Sequence, residues 1–131
     1  LLSELMAEAL GALPRPAALV PVPLHDTRLA RRGYDQALEL AAPLSRRLRI
    51  PLLADVLLRT RATAPQSELD AVARQRNLRR AFTVRADAAL PDHVVLVDDV
   101  MTTGATLEAA ARALRRAGVP RVEAWVCARV P

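Results

Sequence analysis

Fourteen consecutive residues, Val94-Val95-Leu96-Val97-Asp98-Asp99-Val100-Met101-Thr102-Thr103-Gly104-Ala105-Thr106-Leu107, hold most of the chemistry legible in this 131-residue chain. Two adjacent carboxylates are followed, three residues on, by a Thr-Thr-Gly-x-Thr run. A glycine at Gly104 lets the backbone turn sharply and approach a ligand without a Cβ in the way. Successive amides from Thr102 to Thr106, at the start of a helix, face an anion with the positive end of the helix dipole behind them. The hydroxyls of Thr102, Thr103 and Thr106 add donors for phosphate oxygens. Asp98 and Asp99 would repel a bare phosphate and therefore suit its polyol neighbour: vicinal sugar hydroxyls donate to carboxylate oxygens, and a hydrated Mg²⁺ is the alternative. The pattern describes a site for a phosphorylated ribose. A Walker loop would need Gly-Lys-Ser/Thr and a dinucleotide fingerprint Gly-x-Gly-x-x-Gly; the chain has neither. The plainer reading of the same residues is a capped helix start with an ordinary turn.

Such a loop needs a rigid strand before it and a helix after it, and both are predicted. The uninterrupted run Val94–Val97 is expected of a strand covered on both faces, with the strand spanning His93 to Val97 and the acids following it. A helix is predicted over Ala105 to Ala117, with Leu107, Ala110, Ala111 and Leu114 on one face and Gly118 and Pro120 ending it. Upstream, Ala17 to Val22 reads as a buried strand, residues 35–49 as a helix that Pro43 should kink or split, and Val56-Leu57-Leu58 as a strand. Thr60 to Gln66 reads as a loop, Asp70 to Arg80 as helical, Phe82-Thr83-Val84 as a short strand and Val122 to Val130 as the last strand. A first helix over residues 1–16 reads as the remnant of a longer N-terminal region preceding a single domain that spans 1–131. Strands alternating with helices predict an α/β class with a doubly wound, mainly parallel sheet, whose ligands bind at the carboxyl ends of the strands.

Charge and composition narrow the partners. All 19 basic residues are arginine, against 14 acids, for a net charge of +5. Residues 1–90 hold 14 arginines against 9 acids and residues 91–131 hold 5 against 5, so the excess lies in the first two-thirds. A basic surface points to a polyanion or a phosphate-bearing small molecule, or to solvated arginine faces. Arg46, Arg47, Arg115 and Arg116 read as the latter. No apolar run approaches the roughly 20 residues of a membrane span, so no membrane insertion is expected and the reading is a cytoplasmic protein. Cys127 is the only cysteine, which excludes an internal disulfide or a cysteine-cluster zinc site within this chain. It reads as a small core residue, His93 as structural, and Trp125 with Tyr34 as too few aromatics for a base-stacking platform.

Val95 to Thr106 resembles the 5-phosphoribosyl 1-pyrophosphate (PRPP) signature of type I phosphoribosyltransferases: an apolar strand, two acids and Thr-Thr-Gly-x-Thr. Pro21-Val22-Pro23-Leu24-His25, with Arg28 and Arg32-Gly33-Tyr34-Asp35-Gln36-Ala37, is similar to the first block of the ComF competence-associated family. Arg61-x-Thr63-x-x-Gln66, then Arg74-x-x-Asn77-Leu78 and Ala81-Phe82, is similar to its second. The resemblance spans residues 17–130, and members of that family usually carry an N-terminal cysteine-rich zinc module, which these 131 residues do not include. It implies a type I phosphoribosyltransferase-like fold and Mg²⁺-assisted transfer of a 5-phosphoribosyl group from PRPP to an unknown nitrogen acceptor, releasing pyrophosphate. Asp98 and Asp99 would be the catalytic pair, holding the ribose hydroxyls and, directly or through them, the metal. Thr102, Thr103, Gly104, Ala105 and Thr106 would bind the 5-phosphate, and Leu24, His25, Arg28, Arg61 and Arg74 the pyrophosphate. Residues 60–77 would form a closing loop. Residues 28–49 and 59–80 each carry 6 arginines against 2 acids, which sets the positive charge beside the pyrophosphate. A non-catalytic role in DNA uptake, binding DNA or competence proteins, is the alternative, and a homodimer is an open assembly.

Overall fold

A computed structural model describes residues 15–23, 36–59, 81–101 and 104–129. The expected helices over 1–16 and 70–80 and the 60–66 loop fall mostly or wholly outside these residues. Strand β1 (Ala18–Pro21) is followed by helix α1 (Gln36–Leu48), then by a short β2 (Leu57–Arg59) and β3 (Phe82–Val84). Strand β4 (His93–Met101), helix α2 (Ala105–Arg116) and strand β5 (Arg121–Arg129) complete the described chain.

The Val94–Val97 run behaves as a strand covered on both faces must: its four side chains are at most 1% exposed. It lies in the middle of a parallel sheet ordered β1-β4-β5, with Ala18 opposite Val94 and Val94 opposite Val122. Alternation sends Val94 and Leu96 to one face, where they join Leu107, Ala110 and Leu114 of α2. Val95 and Val97 go to the other face, against Leu40, Ala41 and Leu44 of α1 and against Trp125. The two helices therefore cover opposite faces, the doubly wound arrangement predicted from the alternation of elements. Residues 50–53 extend the sheet beyond β1 through a parallel bridge between Leu19 and Leu52. The Leu19 amide donates to the Pro51 carbonyl at 2.8 Å, and the Leu53 amide donates to the Leu19 carbonyl at 2.9 Å. Strands β2 and β3 form a separate antiparallel pair, with Leu57 opposite Val84.

Three expectations need adjustment. Pro43 does not split α1, which runs unbroken from Gln36 to Leu48. The ring removes the donor for the Glu39 carbonyl, but Glu39 is exposed, and the Ala37, Leu40, Ala41, Leu44 stripe holds the helix to the sheet on the other side. The strand predicted at 56–58 begins one residue later, at Leu57, where pairing with β3 starts. In α2, Ala109 and Ala113 are buried beside Leu107, Ala110 and Leu114, while Ala111 is only partly covered.

Both helices are followed by a left-handed residue. At α2, Gly118 takes a left-handed φ of 106°. Its amide reaches the Arg115 carbonyl at 3.0 Å, and the Val119 amide reaches Leu114 at 3.1 Å, the paired bonds of a Schellman cap. Val119 and Leu114 are buried together beneath it. At α1 the left-handed residue is Arg49 (φ 56°), and the Ile50 amide donates to Ser45 at 3.1 Å. Nothing lies within 4 Å of a Cβ added at Gly118, so Gly118→Ala is a purely conformational change. It should destabilise the fold by about 1–2 kcal/mol, read as a lower midpoint with an unchanged slope in urea unfolding.

Candidate functional site at the carboxyl end of the central strand

β1 hands the chain to α1 and then to residues 50–53 on its own side of the sheet. β4 hands it to α2 and then to β5 on the other side. The crossovers diverge between β1 and β4, and that divergence opens a crevice at their carboxyl ends where α/β sheets bind ligands.

The register shows how the acids come to stand there. Pairing of β1 with β4 ends at Pro21 opposite Val97, with one further bond from the Val22 amide to the Val97 carbonyl at 3.0 Å. On the other side β5 continues, pairing Asp98 with Val126, Val100 with Ala128 and Met101 with Arg129. Asp98 and Asp99 are therefore residues of β4, not of the loop after it as the pattern suggested. The signal for this lies in Val126–Arg129, a distant segment whose backbone is long enough to keep pairing. Past the end of β1, their backbone pairs among the described strands with β5.

Strand alternation carries Asp98 to the α2 face and Asp99 to the α1 face, so the carboxylates straddle the strand tip. Both are half-buried. Asp98 Oδ1 accepts the Asp99 amide at 2.9 Å, which orients the first carboxylate.

Beyond the tip, Gly104 is the N-cap of α2, with φ 82° and ψ −5° and no side-chain cap bond. A left-handed N-cap is accessible to glycine at little cost. Without a capping oxygen from this residue, the positive end of the helix is left to other acceptors, as an anion site requires. The Glu108 amide closes the first turn on the Gly104 carbonyl at 2.9 Å. The Glu108 carboxylate is turned outward to Arg112 at 2.7 Å, so it does not crowd the helix end. Thr106 is half-exposed in the first turn.

Of the predicted site residues, the fold brings together Asp98, Asp99, Gly104, Ala105 and Thr106. Thr102, Thr103, Leu24, His25, Arg28, Arg61 and Arg74 lie outside the described residues. Trp125 is 8% exposed in the core and Cys127 is partly buried beside it, in keeping with their structural reading. His93 stands at the opposite end of β4, its Nε2 buried and 2.7 Å from Glu123 Oε1 without hydrogen-bond alignment. Arg46, Arg47 and Arg49 also lie at that far end, at the carboxyl terminus of α1. Half the arginines of the 28–49 segment are thus remote from Asp98 and Asp99, contrary to the expected concentration of charge beside the site.

Comparison with known proteins bears on this geometry. The family model described as "Phosphoribosyl transferase domain" matches residues 34–131. The chain is 43% identical over 119 residues to "Competence protein F" of Haemophilus influenzae, covering 89% of this chain and 52% of that protein. It is 41% identical over 129 residues to "DNA utilization protein YhgH" of Escherichia coli, covering 98% of this chain and 56% of that protein. "Competence protein ComFC" of Bacillus subtilis is 33% identical over 100 residues, or 76% of this chain and 39% of that protein. The chain spans about half the length of the first two. Among solved structures, a purine phosphoribosyltransferase from Pyrococcus horikoshii superposes with a TM-score of 0.62 at 23% identity, over 99% of this chain and 71% of that one. That likeness establishes the fold.

The Asp98–Asp99 contact has a direct check. Asp98→Ala removes the acceptor of the Asp99 amide, whereas Asp98→Asn keeps a carbonyl oxygen there. Hydrogen exchange at the Asp99 amide should accelerate by roughly fivefold or more in the alanine variant, equivalent to about 1 kcal/mol, and stay near the parent value in the asparagine variant.

Proposed function

The chain belongs to the phosphoribosyl transferase domain family, in the group of the competence-associated ComF proteins, and on that basis we propose that it binds PRPP and transfers its 5-phosphoribosyl group. The observation that carries the reading is the arrangement at the β4 tip. Two carboxylates straddle the strand end at the topological switch point, and a glycine-capped helix N-terminus follows them within five residues.

In this reading the ribose lies across the tip of β4. Its vicinal hydroxyls donate to Asp98 from one side and Asp99 from the other, while the 5-phosphate sits on the amides and hydroxyls of residues 102–106. The glycosyl carbon then loses its bond to pyrophosphate oxygen and gains one to the acceptor nitrogen, which gives up a proton. Displacement at that carbon develops positive charge on the sugar ring, next to two carboxylates that are already ordered. Their work is binding and charge stabilisation rather than proton transfer. Leu24, His25, Arg28, Arg61 and Arg74 are proposed to receive the pyrophosphate, the arginines through bidentate guanidinium contacts.

Magnesium fits these residues as an ion shared with the substrate. No group of three His, Cys, Asp or Glu side chains capable of holding a metal stands among the described residues, and one Asp98 oxygen is engaged by a backbone amide. One or two carboxylates completed by phosphate oxygens and water are a normal Mg²⁺ donor set. Asp98 and Asp99 would hold the ion, directly or through the ribose hydroxyls, and it would neutralise charge on the pyrophosphate. The names of the relatives point to DNA uptake and use, and we propose that the whole protein serves there.

Calorimetry with PRPP and Mg²⁺ tests the site. Asp98→Asn combined with Asp99→Asn removes charge-assisted bonds worth together about 3 kcal/mol or more, so affinity should fall a hundredfold or more while the circular dichroism spectrum is kept. Absence of PRPP binding by the parent chain, or unchanged affinity in the double variant, overturns the assignment. Chelation with EDTA should weaken PRPP binding. Release of pyrophosphate across a panel of nucleobases and amines identifies the acceptor class.

A further inference from the structure

The hydrogen-bond phase of the sheet treats the two acids of the crevice differently. In a parallel ladder, successive residues turn their amide and carbonyl to opposite neighbours. The Arg121 amide donates to the Asp92 carbonyl at 3.2 Å, and the Val22 amide donates to the Val97 carbonyl at 3.0 Å. Even-numbered residues of β4 therefore turn their backbone groups to β5, and odd-numbered ones to β1. Asp98, paired with Val126, has its amide and carbonyl on the β5 side. Asp99 turns its amide the other way, into the lane of β1.

One more rung on that side would carry the Asp99 amide to the Val22 carbonyl, the next acceptor in register. Pairing of β1 with β4 ends before that rung, with Pro21 opposite Val97. The Asp99 amide goes instead to Asp98 Oδ1 at 2.9 Å. Aspartate suits this competition, because its short acceptor reaches nearby backbone groups and offers them an alternative to a ladder bond. The charge on the acceptor strengthens that alternative. Val22, Leu96 and Val97 are all buried, so the strands that bring the two acceptors within reach are firmly packed. Asp98 thus does for Asp99 what β1 does for the residues below it. Its carboxylate holds the amide on the side where the β1 ladder has ended.

We infer that Asp98 is a positioning residue for Asp99: its carboxylate fixes the backbone from which the second carboxylate meets the substrate, so the two acids are unequal. This inference rests on the PRPP reading and deepens it. Asp99 lies on the α1 face of the strand tip, and the direction of its side chain is set by a backbone whose amide is tied to Asp98. What this task requires at position 98 is an acceptor oxygen. Asparagine supplies the same oxygen without the charge. At Asp99 the charge itself matters, because positive character develops on the sugar ring as the glycosyl bond breaks.

A double-mutant cycle tests it, with PRPP affinities measured by calorimetry in the presence of Mg²⁺ on the full 131-residue chain. Asp98→Asn should bind PRPP more tightly than Asp98→Ala by roughly fivefold or more, the worth of the bond to the Asp99 amide. Combined with Asp99→Ala, the same two changes at position 98 should differ by no more than about twofold, because no second carboxylate is left to position. Asp99→Asn should weaken binding roughly tenfold more than Asp98→Asn does. Circular dichroism and urea midpoints check that each variant is folded. If Asp98→Ala does not fold, the comparison of the two asparagine variants decides. A parent chain that does not bind PRPP overturns the PRPP reading and this inference with it. Where the parent binds, two outcomes overturn this inference alone. One is a difference between Asn and Ala at position 98 that persists undiminished beside Asp99→Ala, which would make the position-98 oxygen a substrate contact only. The other is an equal loss of affinity in the two asparagine variants.

Discussion

Strand β4 is hydrogen-bonded on both edges and packed on both faces, and the positions of the other described elements follow from that. With Val94 to Val97 almost wholly removed from water, each such side chain contributes about 1.5–3 kcal/mol of burial. Neither face can be surrendered without exposing part of the run. The two helices are therefore obliged to take opposite sides, and the chain must diverge from the centre of the sheet. A crevice at the carboxyl end of the strand is the geometric consequence. The acids stand in it because β1 stops pairing at Val97 while β5 continues to Met101.

That unequal pairing also explains how two adjacent carboxylates can be both ordered and accessible. Continued bonding to β5 fixes the backbone of Asp98 and Asp99, and the early end of β1 removes the neighbour that would have covered them. The Asp98 carboxylate is further oriented by the amide of the next residue. A loop at this position would have had to order itself on ligand binding, at a conformational cost of about 1–2 kcal/mol per residue. The strand has met that cost during folding.

Charge is distributed by the same architecture. Helix carboxyl termini accept arginine readily, and the parallel crossovers bring those termini to one end of the sheet. Acids at the β4 tip and in the first turns of the helices gather at the other. Polarity along the sheet thus follows from placing ordinary helix-end preferences on a doubly wound fold. Among the described residues, acid and arginine therefore favour opposite ends of the sheet.

Much of this was legible in the residues. The apolar run marked β4, the Gly118–Pro120 stop marked the end of α2, and the acid pair with its Thr-Thr-Gly-x-Thr sequel marked the site, because each is a local pattern whose physics acts within a few neighbours. Pro43 misled for the converse reason: its local effect is to break a helix, and the stripe from Ala37 to Leu44, held by side chains of β1, β4 and β5, outweighs it. The place of Asp98 and Asp99 inside the strand depended on Val126 to Arg129, residues too distant for any local pattern to report. Likewise the count of six arginines over residues 28–49 spoke of one cluster, where the fold sends Arg46, Arg47 and Arg49 to the far end of the molecule. Neighbouring residues are enough to specify the elements and the chemistry of the strand-to-helix turn, so both can be read from the chain alone. Which charges share a surface is settled by the fold, because a helix about 20 Å long carries Arg46 and Arg47 in its last turn well away from its first.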